Sequence, residues 1–157
     1  MTNPADPPLN ILIVEDEVLV AVELGFMVRD AGCCDVGHAM TSDEAMDLAH
    51  ELHPDVALVD VHLGDGPTGI DVARRIAEDC GGVALFMTAN VKRLPEDFAG
   101  ACGVIGKPYS EHAVKTALAY LGVCLHEGRA PGQPPLGLQL APDFAARWGL
   151  CDAAWAS

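Results

Sequence analysis

The stretch LVDVHLGDG, residues 58–66, places one acidic residue directly after an apolar run. The run begins at Val56, and Asp60 follows its last valine. Short, continuous apolar runs are typical of parallel strands that are buried on both faces of a sheet. Histidine and glycine then end the run. Asp60 is therefore predicted to lie at the carboxyl end of a buried strand.

Similar apolar runs recur along the chain and alternate with segments of helical apolar spacing. Gly32 is predicted to end the first helix and Ser42 to cap the second. Five strands that alternate with five helices predict a doubly wound α/β sheet with right-handed crossovers. The predicted strands are 11–14, 36–40, 56–59, 83–86 and 103–105, and the predicted helices are 17–31, 43–51, 70–79, 91–99 and 110–123.

The composition excludes several classes of function. A chain of 157 residues is about the size of one domain with a short appendage. Its 23 acidic and 9 basic residues give a formal net charge of −14, which disfavours binding to nucleic acid or to an anionic membrane. We see neither a membrane-spanning stretch nor a secretory signal, so a cytoplasmic location is expected.

Polar residues stand at the predicted carboxyl ends of four strands, where ligands of such sheets bind. Three of these residues are carboxylates, which repel one another unless a divalent cation or the Lys107 ammonium offsets their charge. The sequence therefore predicts a magnesium site with a lysine beside it. The residues are Glu15 and Asp16 after the first strand, Asp60 after the third, Thr88 at the end of the fourth and Lys107 after the fifth.

This set of side chains suits phosphoryl transfer. Asp60 would be the nucleophile that attacks phosphorus, while the metal and Lys107 neutralise the phosphoryl oxygens. The Thr88 hydroxyl would donate a hydrogen bond to the phosphoryl group once it is attached. A carboxylate would thereby become a switchable charge.

Four motifs in chain order carry a resemblance to a known family. They are ILIVEDE at 11–17, DVALVDVHL at 55–63, LFMTAN at 85–90 and GKPY at 106–109. The chain resembles a response-regulator receiver domain of two-component signalling over roughly residues 9–123. Among such domains it is most similar to stand-alone, chemotaxis-regulator-like receivers.

The resemblance implies a fold, a cofactor and partners. The fold would be a five-stranded parallel sheet in the flavodoxin-like order 2-1-3-4-5, with helices on both faces. Asp60 would accept a phosphoryl group from a histidine kinase or phosphotransfer protein, and the signal would pass through changed protein contacts. Phosphotransfer and slow autodephosphorylation would be self-catalysed, so the protein would not be an enzyme in the usual sense.

The resemblance also assigns roles to individual residues. Mg²⁺ would be held by Asp16, Asp60 and the backbone carbonyl of His62, with Glu15 acting mostly through water. Thr88, Ala89 and Lys107 would bind the phosphoryl group. The His62 side chain, Asn90 and Val104 are candidate modulators of the site.

Two positions depart from the pattern of the family. Gly64 stands where receivers usually have a proline, and the loop is longer by about one residue, so we expect it to be more mobile. Val104 replaces an aromatic residue that changes rotamer on phosphorylation. The usual threonine-to-aromatic switch therefore cannot operate in this chain.

We divide the chain into an N-terminal arm (1–8), a receiver domain (9–124) and a C-terminal extension (125–157). The extension reads as a Gly/Pro-rich linker followed by a short apolar segment, and it is too acidic and too short for a DNA-binding domain. Pro142 is predicted in the first turn of a short helix that places Phe144 and Trp148 on one face. This segment, which also contains Trp155, would dock on its own domain, or cover the output face, or mediate a homodimer. The last strand and helix are the other candidate dimer surface.

Three alternatives remain open at this point. In the first, the chain is a phosphate shuttle or sink in a phosphorelay. In the second, it is a degenerate receiver that is not phosphorylated and only binds a partner. A hydrolase of the haloacid dehalogenase type also uses Asp, Thr, Lys and magnesium. Its nucleophile, however, normally follows the first strand in an Asp-x-Asp pair, whereas here His62 replaces the second aspartate.

Overall fold

The computed structural model describes residues 7–150. Within them the strands are β1 (Asn10–Val14), β2 (Cys34–Ala39), β3 (Val56–Val59), β4 (Val83–Thr88), β5 (Gly103–Gly106) and β6 (Leu138–Leu140). The helices are α1 (Val18–Asp30), α2 (Ser42–Leu52), α3 (Gly69–Asp79), α4 (Glu111–Glu127) and α5 (Pro142–Arg147). The strands form one sheet in the order β2-β1-β3-β4-β5-β6.

The predicted α/β sheet with strand order 2-1-3-4-5 is confirmed, and a sixth strand is added to it. Strands β1 to β5 are parallel, whereas β6 runs antiparallel to β5. All residues of β3 and β4 are buried, as expected for apolar strands covered on both faces. Helix α1 packs against α4, and α2 packs against α3, so helices cover both faces.

The strand register brings the predicted site residues to one edge of the sheet. Val14 is the register partner of Val59, so the residues that follow them, Glu15 and Asp60, emerge side by side. The Asp60 N–H donates to the Val14 carbonyl over 3.0 Å. At the same edge Thr88 ends β4 opposite Gly106 of β5.

The predicted helix over 91–99 is wrong. The structure has two 3-10 turns there, Val91–Arg93 and Phe98–Gly100. Pro95 lacks an N–H and disfavours helical geometry in the residue before it, and Leu94 is indeed extended (φ −73°, ψ 144°). The chain therefore leaves β4 through an irregular segment.

The helix ends follow the predicted signals with one correction. Gly32 ends α1 with φ +82°, as predicted. The N-cap of α2 is Thr41 and not Ser42, because the Thr41 hydroxyl accepts the N–H of Glu44 over 3.2 Å. Ser42 is the first residue of the helix itself, which leaves its hydroxyl free for another partner.

The C-terminal extension packs on the sheet of its own chain. Leu138 and Leu140 of β6 are buried. The short helix predicted from Pro142 is confirmed as α5, and the Phe144 and Trp148 rings meet edge to face at 5.1 Å. Trp155 lies outside the described residues. No helix in the described part of the chain is long and apolar enough to cross a membrane.

Candidate functional site

Three carboxylates converge at the carboxyl edge of the sheet. Glu15 and Asp16 follow β1 and Asp60 follows β3, and one oxygen from each lies within 4.8 Å of the others. The Glu15 carboxylate also accepts the N–H of Asp16 over 3.0 Å. The sequence predicted this convergence, and the structure confirms that the three side chains share one site.

The Lys107 ammonium joins these carboxylates. Its Nζ lies 3.2 Å from Asp60 Oδ2 and 3.4 Å from Glu15 Oε1. Its backbone N–H donates to the Thr88 carbonyl over 2.8 Å, which fixes the lysine at the junction of β4 and β5. Because three carboxylates face one ammonium, the site retains an excess of negative charge that a divalent cation would neutralise.

Burial makes Glu15 the unusual acid of this group. Its side chain is only 3% exposed. Burial, together with a hydrogen bond and the charge of Asp60, raises the pKa of Glu15 from 4.5 to about 7, against the opposing effect of Lys107. Burial alone would lower the pKa of Lys107, but the charges of Asp60 and Glu15 raise it on balance. Lys107 therefore stays positively charged.

Thr88 and the residues after it border the site on the β4 side. Thr88 is buried, and its hydroxyl accepts the N–H of Asn90 over 3.2 Å. Ala89 and Asn90 are exposed in the turn that follows. Thr88 is thus held next to Lys107, as predicted, while the turn is open to solvent.

Val104 lies inside β5, away from the carboxylates. It is buried and stands between Phe86 of β4 and Gln139 of β6 in the sheet register. Its role as a modulator of the site remains a prediction.

The loop after Asp60 is held by backbone hydrogen bonds, and the mobility expected from Gly64 remains a prediction. Leu63 and Gly66 exchange two backbone hydrogen bonds of 2.8 and 3.0 Å. The N–H of Gly64 donates to the Met40 carbonyl over 2.8 Å. His62 projects from this loop into solvent, whereas its neighbour Leu63 is buried.

Asp65 is a residue of this loop that the sequence reasoning missed. Its carboxylate accepts hydrogen bonds from the Ser42 hydroxyl at 2.5 Å and from the Thr68 hydroxyl at 2.6 Å. The pair Asp65 and Ser42 joins the loop to the start of α2. The longer loop was noticed in the sequence, but nothing local to it indicates a partner 23 positions away.

The donor set fits a hard divalent cation. Carboxylate and carbonyl oxygens are the ligands that Mg²⁺ prefers. Glu15, Asp16 and Asp60 supply the carboxylates, and the loop that carries the His62 carbonyl begins directly after Asp60. The side chains of the site therefore suit a cation that keeps part of its water shell.

Residues 11–119 match the family model described as the response regulator receiver domain. Among curated proteins the chain is 32% identical over 117 residues to the phyllosphere-induced regulator PhyR of Methylorubrum extorquens, covering 73% of this chain and 44% of that protein. It is 39% identical over 119 residues to the transcriptional regulatory protein PdtaR of Mycobacterium tuberculosis, covering 70% of this chain and 57% of that protein. The chain thus spans about half the length of the curated relatives it matches.

A solved structure of a receiver domain is also similar to this chain. The solution structure of the PhyR receiver domain of Erythrobacter litoralis is similar with a TM-score of 0.64 and 26% identity. The match covers 82% of this chain and 97% of that one.

Proposed function

This chain belongs to the response regulator receiver domain family, and from that membership we propose that it accepts a phosphoryl group on Asp60 and signals through altered protein contacts. The donor would be a histidine kinase or a phosphotransfer protein. Both curated relatives are named as regulators, which supports a role in signalling. The chain would catalyse its own phosphorylation and slow dephosphorylation and would have no further substrate.

The observation that carries this proposal is the shared site of the three carboxylates and Lys107. An acidic cluster alone has many explanations. A half-buried lysine that extends from the end of β5 to both Glu15 and Asp60 is expected where an added anion must be neutralised.

Each side chain then has a defined task. A carboxylate oxygen of Asp60, which is 17% exposed, attacks the phosphorus, and the bond from phosphorus to the donor imidazole nitrogen breaks. Lys107 neutralises charge on the transferred oxygens, and the Thr88 hydroxyl donates a hydrogen bond to one of them. Bound Mg²⁺, held by Glu15, Asp16, Asp60 and the His62 carbonyl, would supply further charge neutralisation.

The decisive experiment is modification by acetyl phosphate, with and without Mg²⁺, followed by intact mass measurement. The wild-type chain should gain one phosphoryl group only when Mg²⁺ is present, and Asp60→Asn should gain none. Asp47→Asn removes an exposed carboxylate from α2 and should behave as wild type. Modification that persists in Asp60→Asn would show that another residue is the acceptor.

A second step separates a terminal regulator from a phosphate shuttle. The phosphorylated chain is mixed with a phosphotransfer protein from the same cell. A shuttle passes its phosphoryl group to the histidine of that protein, whereas a terminal regulator loses it only to water. Absence of phosphorylation by both acetyl phosphate and a kinase would favour the degenerate receiver that acts as a binding module.

A further inference from the structure

Asp65 is an exposed residue whose two carboxylate oxygens are nevertheless engaged. Besides the hydroxyls of Ser42 and Thr68, they accept the backbone N–H of Ser42 over 3.2 Å. The hydrogen bonds from Ser42 and Thr68 hold the pKa of Asp65 below its usual range. The Ser42 partner is buried, and it is the first residue of α2. Asp65 therefore stays ionised and fastens the loop to a fixed point.

The loop is constrained at its other end by α3. The N–H of Gly69 donates to the Val61 carbonyl over 2.9 Å, and a Cβ at Gly69 would collide with the carbonyl oxygen of Asp60. Residues 62–66 thus form a short turn between two anchors, α3 on one side and Asp65 with Ser42 on the other. His62 lies at the beginning of this turn, three positions before Asp65.

Building on the function proposed above, we propose that Asp65 is a positioning residue for the divalent cation. By binding Ser42 it would hold the turn in the conformation in which the His62 carbonyl serves as a ligand of the cation. Asp65 is not a member of the carboxylate cluster of Glu15, Asp16 and Asp60, and it acts through the backbone of the turn.

The coordination chemistry of magnesium explains why such a clamp matters. Mg²⁺ demands nearly ideal octahedral geometry at short distances, so a backbone ligand that moves costs affinity. A glycine at position 64 leaves the turn intrinsically free. The clamp through Asp65 adds a side-chain anchor to the backbone hydrogen bonds that Gly64 makes with Met40 and Leu63 makes with Gly66.

The test is titration of the full chain with MgCl₂ by calorimetry, in four variants: Asp65→Ala, Asp65→Asn, Ser42→Ala and the double variant Ser42→Ala/Asp65→Ala. We expect Asp65→Ala to weaken Mg²⁺ binding by about tenfold and Ser42→Ala by about threefold. The double variant should bind as weakly as Asp65→Ala alone, because both changes open the same clamp. Asp65→Asn keeps the shape and part of the hydrogen bonding, and should lie between Asp65→Ala and wild type.

Ser42→Ala separates positioning from simple charge, since it removes no charge. A loss of affinity in Asp65→Ala and Asp65→Asn alike, with none in Ser42→Ala, would mean that Asp65 acts only as a distant negative charge, and it would overturn the inference. Asp97→Ala is the matched control: Asp97 pairs with Arg74 at 3.1 Å elsewhere on the surface. We expect its Mg²⁺ affinity to stay within about twofold of wild type.

Urea unfolding of each variant shows whether a change in affinity merely follows a change in stability. If the wild-type chain binds Mg²⁺, and Ser42→Ala and Asp65→Ala bind it with the same affinity, this inference is overturned. The phosphoacceptor role of Asp60 would still stand. A wild-type chain that binds no Mg²⁺ overturns this inference, and it overturns the proposed function as well if acetyl phosphate also fails to modify Asp60. Modification of Asp60 by acetyl phosphate, measured in parallel, tells the two failures apart.

Discussion

Replacing Glu15 with glutamine should stabilise the metal-free protein, and the gain should grow with pH. Glu15 is buried beside Asp60, and its pKa in the folded state is about 7, compared with 4.5 for the group in solvent. Ionising it inside the protein therefore costs free energy that the unfolded chain does not incur. Glutamine has nearly the same shape and carries no charge.

The sign and size follow from linkage between protonation and folding. Because the pKa of Glu15 is raised in the folded state, its contribution to the free energy of unfolding is fully present below pH 4.5. This contribution is lost as the pH rises through 7. A rise from 4.5 to about 7 corresponds to about 3 kcal/mol in the free energy of unfolding. Nearly all of the change should occur between these two pKa values.

The assay is urea unfolding of wild type and Glu15→Gln, without divalent cations, at about pH 4.5, 6 and 7.5. The difference between the two unfolding free energies should increase by about 3 kcal/mol across the series and then level off. Glu23→Gln, which removes the same charge from an exposed position on α1, serves as the control. A difference between wild type and Glu15→Gln that does not change with pH would refute the reasoning.

Two further predictions concern β5 and α1. Gly103→Ala should destabilise the protein by about 1–3 kcal/mol and speed hydrogen exchange in 138–148, because a Cβ at Gly103 would collide with the Gln139 carbonyl of β6. Gly106→Ala is the control, since the atom nearest to its new Cβ would be 4.0 Å away. Equal unfolding free energies of the two variants would count against the close fit of β6. Leu19→Ser and Phe26→Ser, at α1 positions that are 78% and 64% exposed, should change stability by less than about 0.5 kcal/mol. If this apolar surface receives the phosphoryl donor, both should slow transfer from a histidine protein but not from acetyl phosphate, and unchanged transfer from the protein would refute that use.

The sequence predicted most of the sheet and the centre of the site because both depend on strong local signals. Buried parallel strands require continuous apolar runs, and the residue after such a run must lie at the sheet edge. Glu15, Asp60 and Lys107 could therefore be placed together before any coordinates were known. Their meeting also requires the strand order 2-1-3-4-5, which the family resemblance implied and the structure confirms.

The failures have equally physical causes. The apolar spacing over 91–99 favoured a helix, but Pro95 overrode it by removing a donor and forcing Leu94 into extended geometry. Strand β6 contains only three residues, Leu138–Leu140, which is too few to establish a period of two. Its stability comes from pairing with β5, and such tertiary pairing leaves little trace in the local sequence.

Val104 and strand β6 together indicate which surface of the chain a partner would recognise after phosphorylation. Val104 is an aliphatic side chain enclosed in the sheet, with β6 paired beyond it, so it cannot act as the rotating ring of other receivers. Thr88, in contrast, now binds the N–H of Asn90. If the Thr88 hydroxyl turns toward a phosphoryl group on Asp60, this hydrogen bond must weaken. The exposed turn at Asn90 would then be the first backbone to move, and we expect a partner to recognise the phosphorylated state at this turn and not at β5.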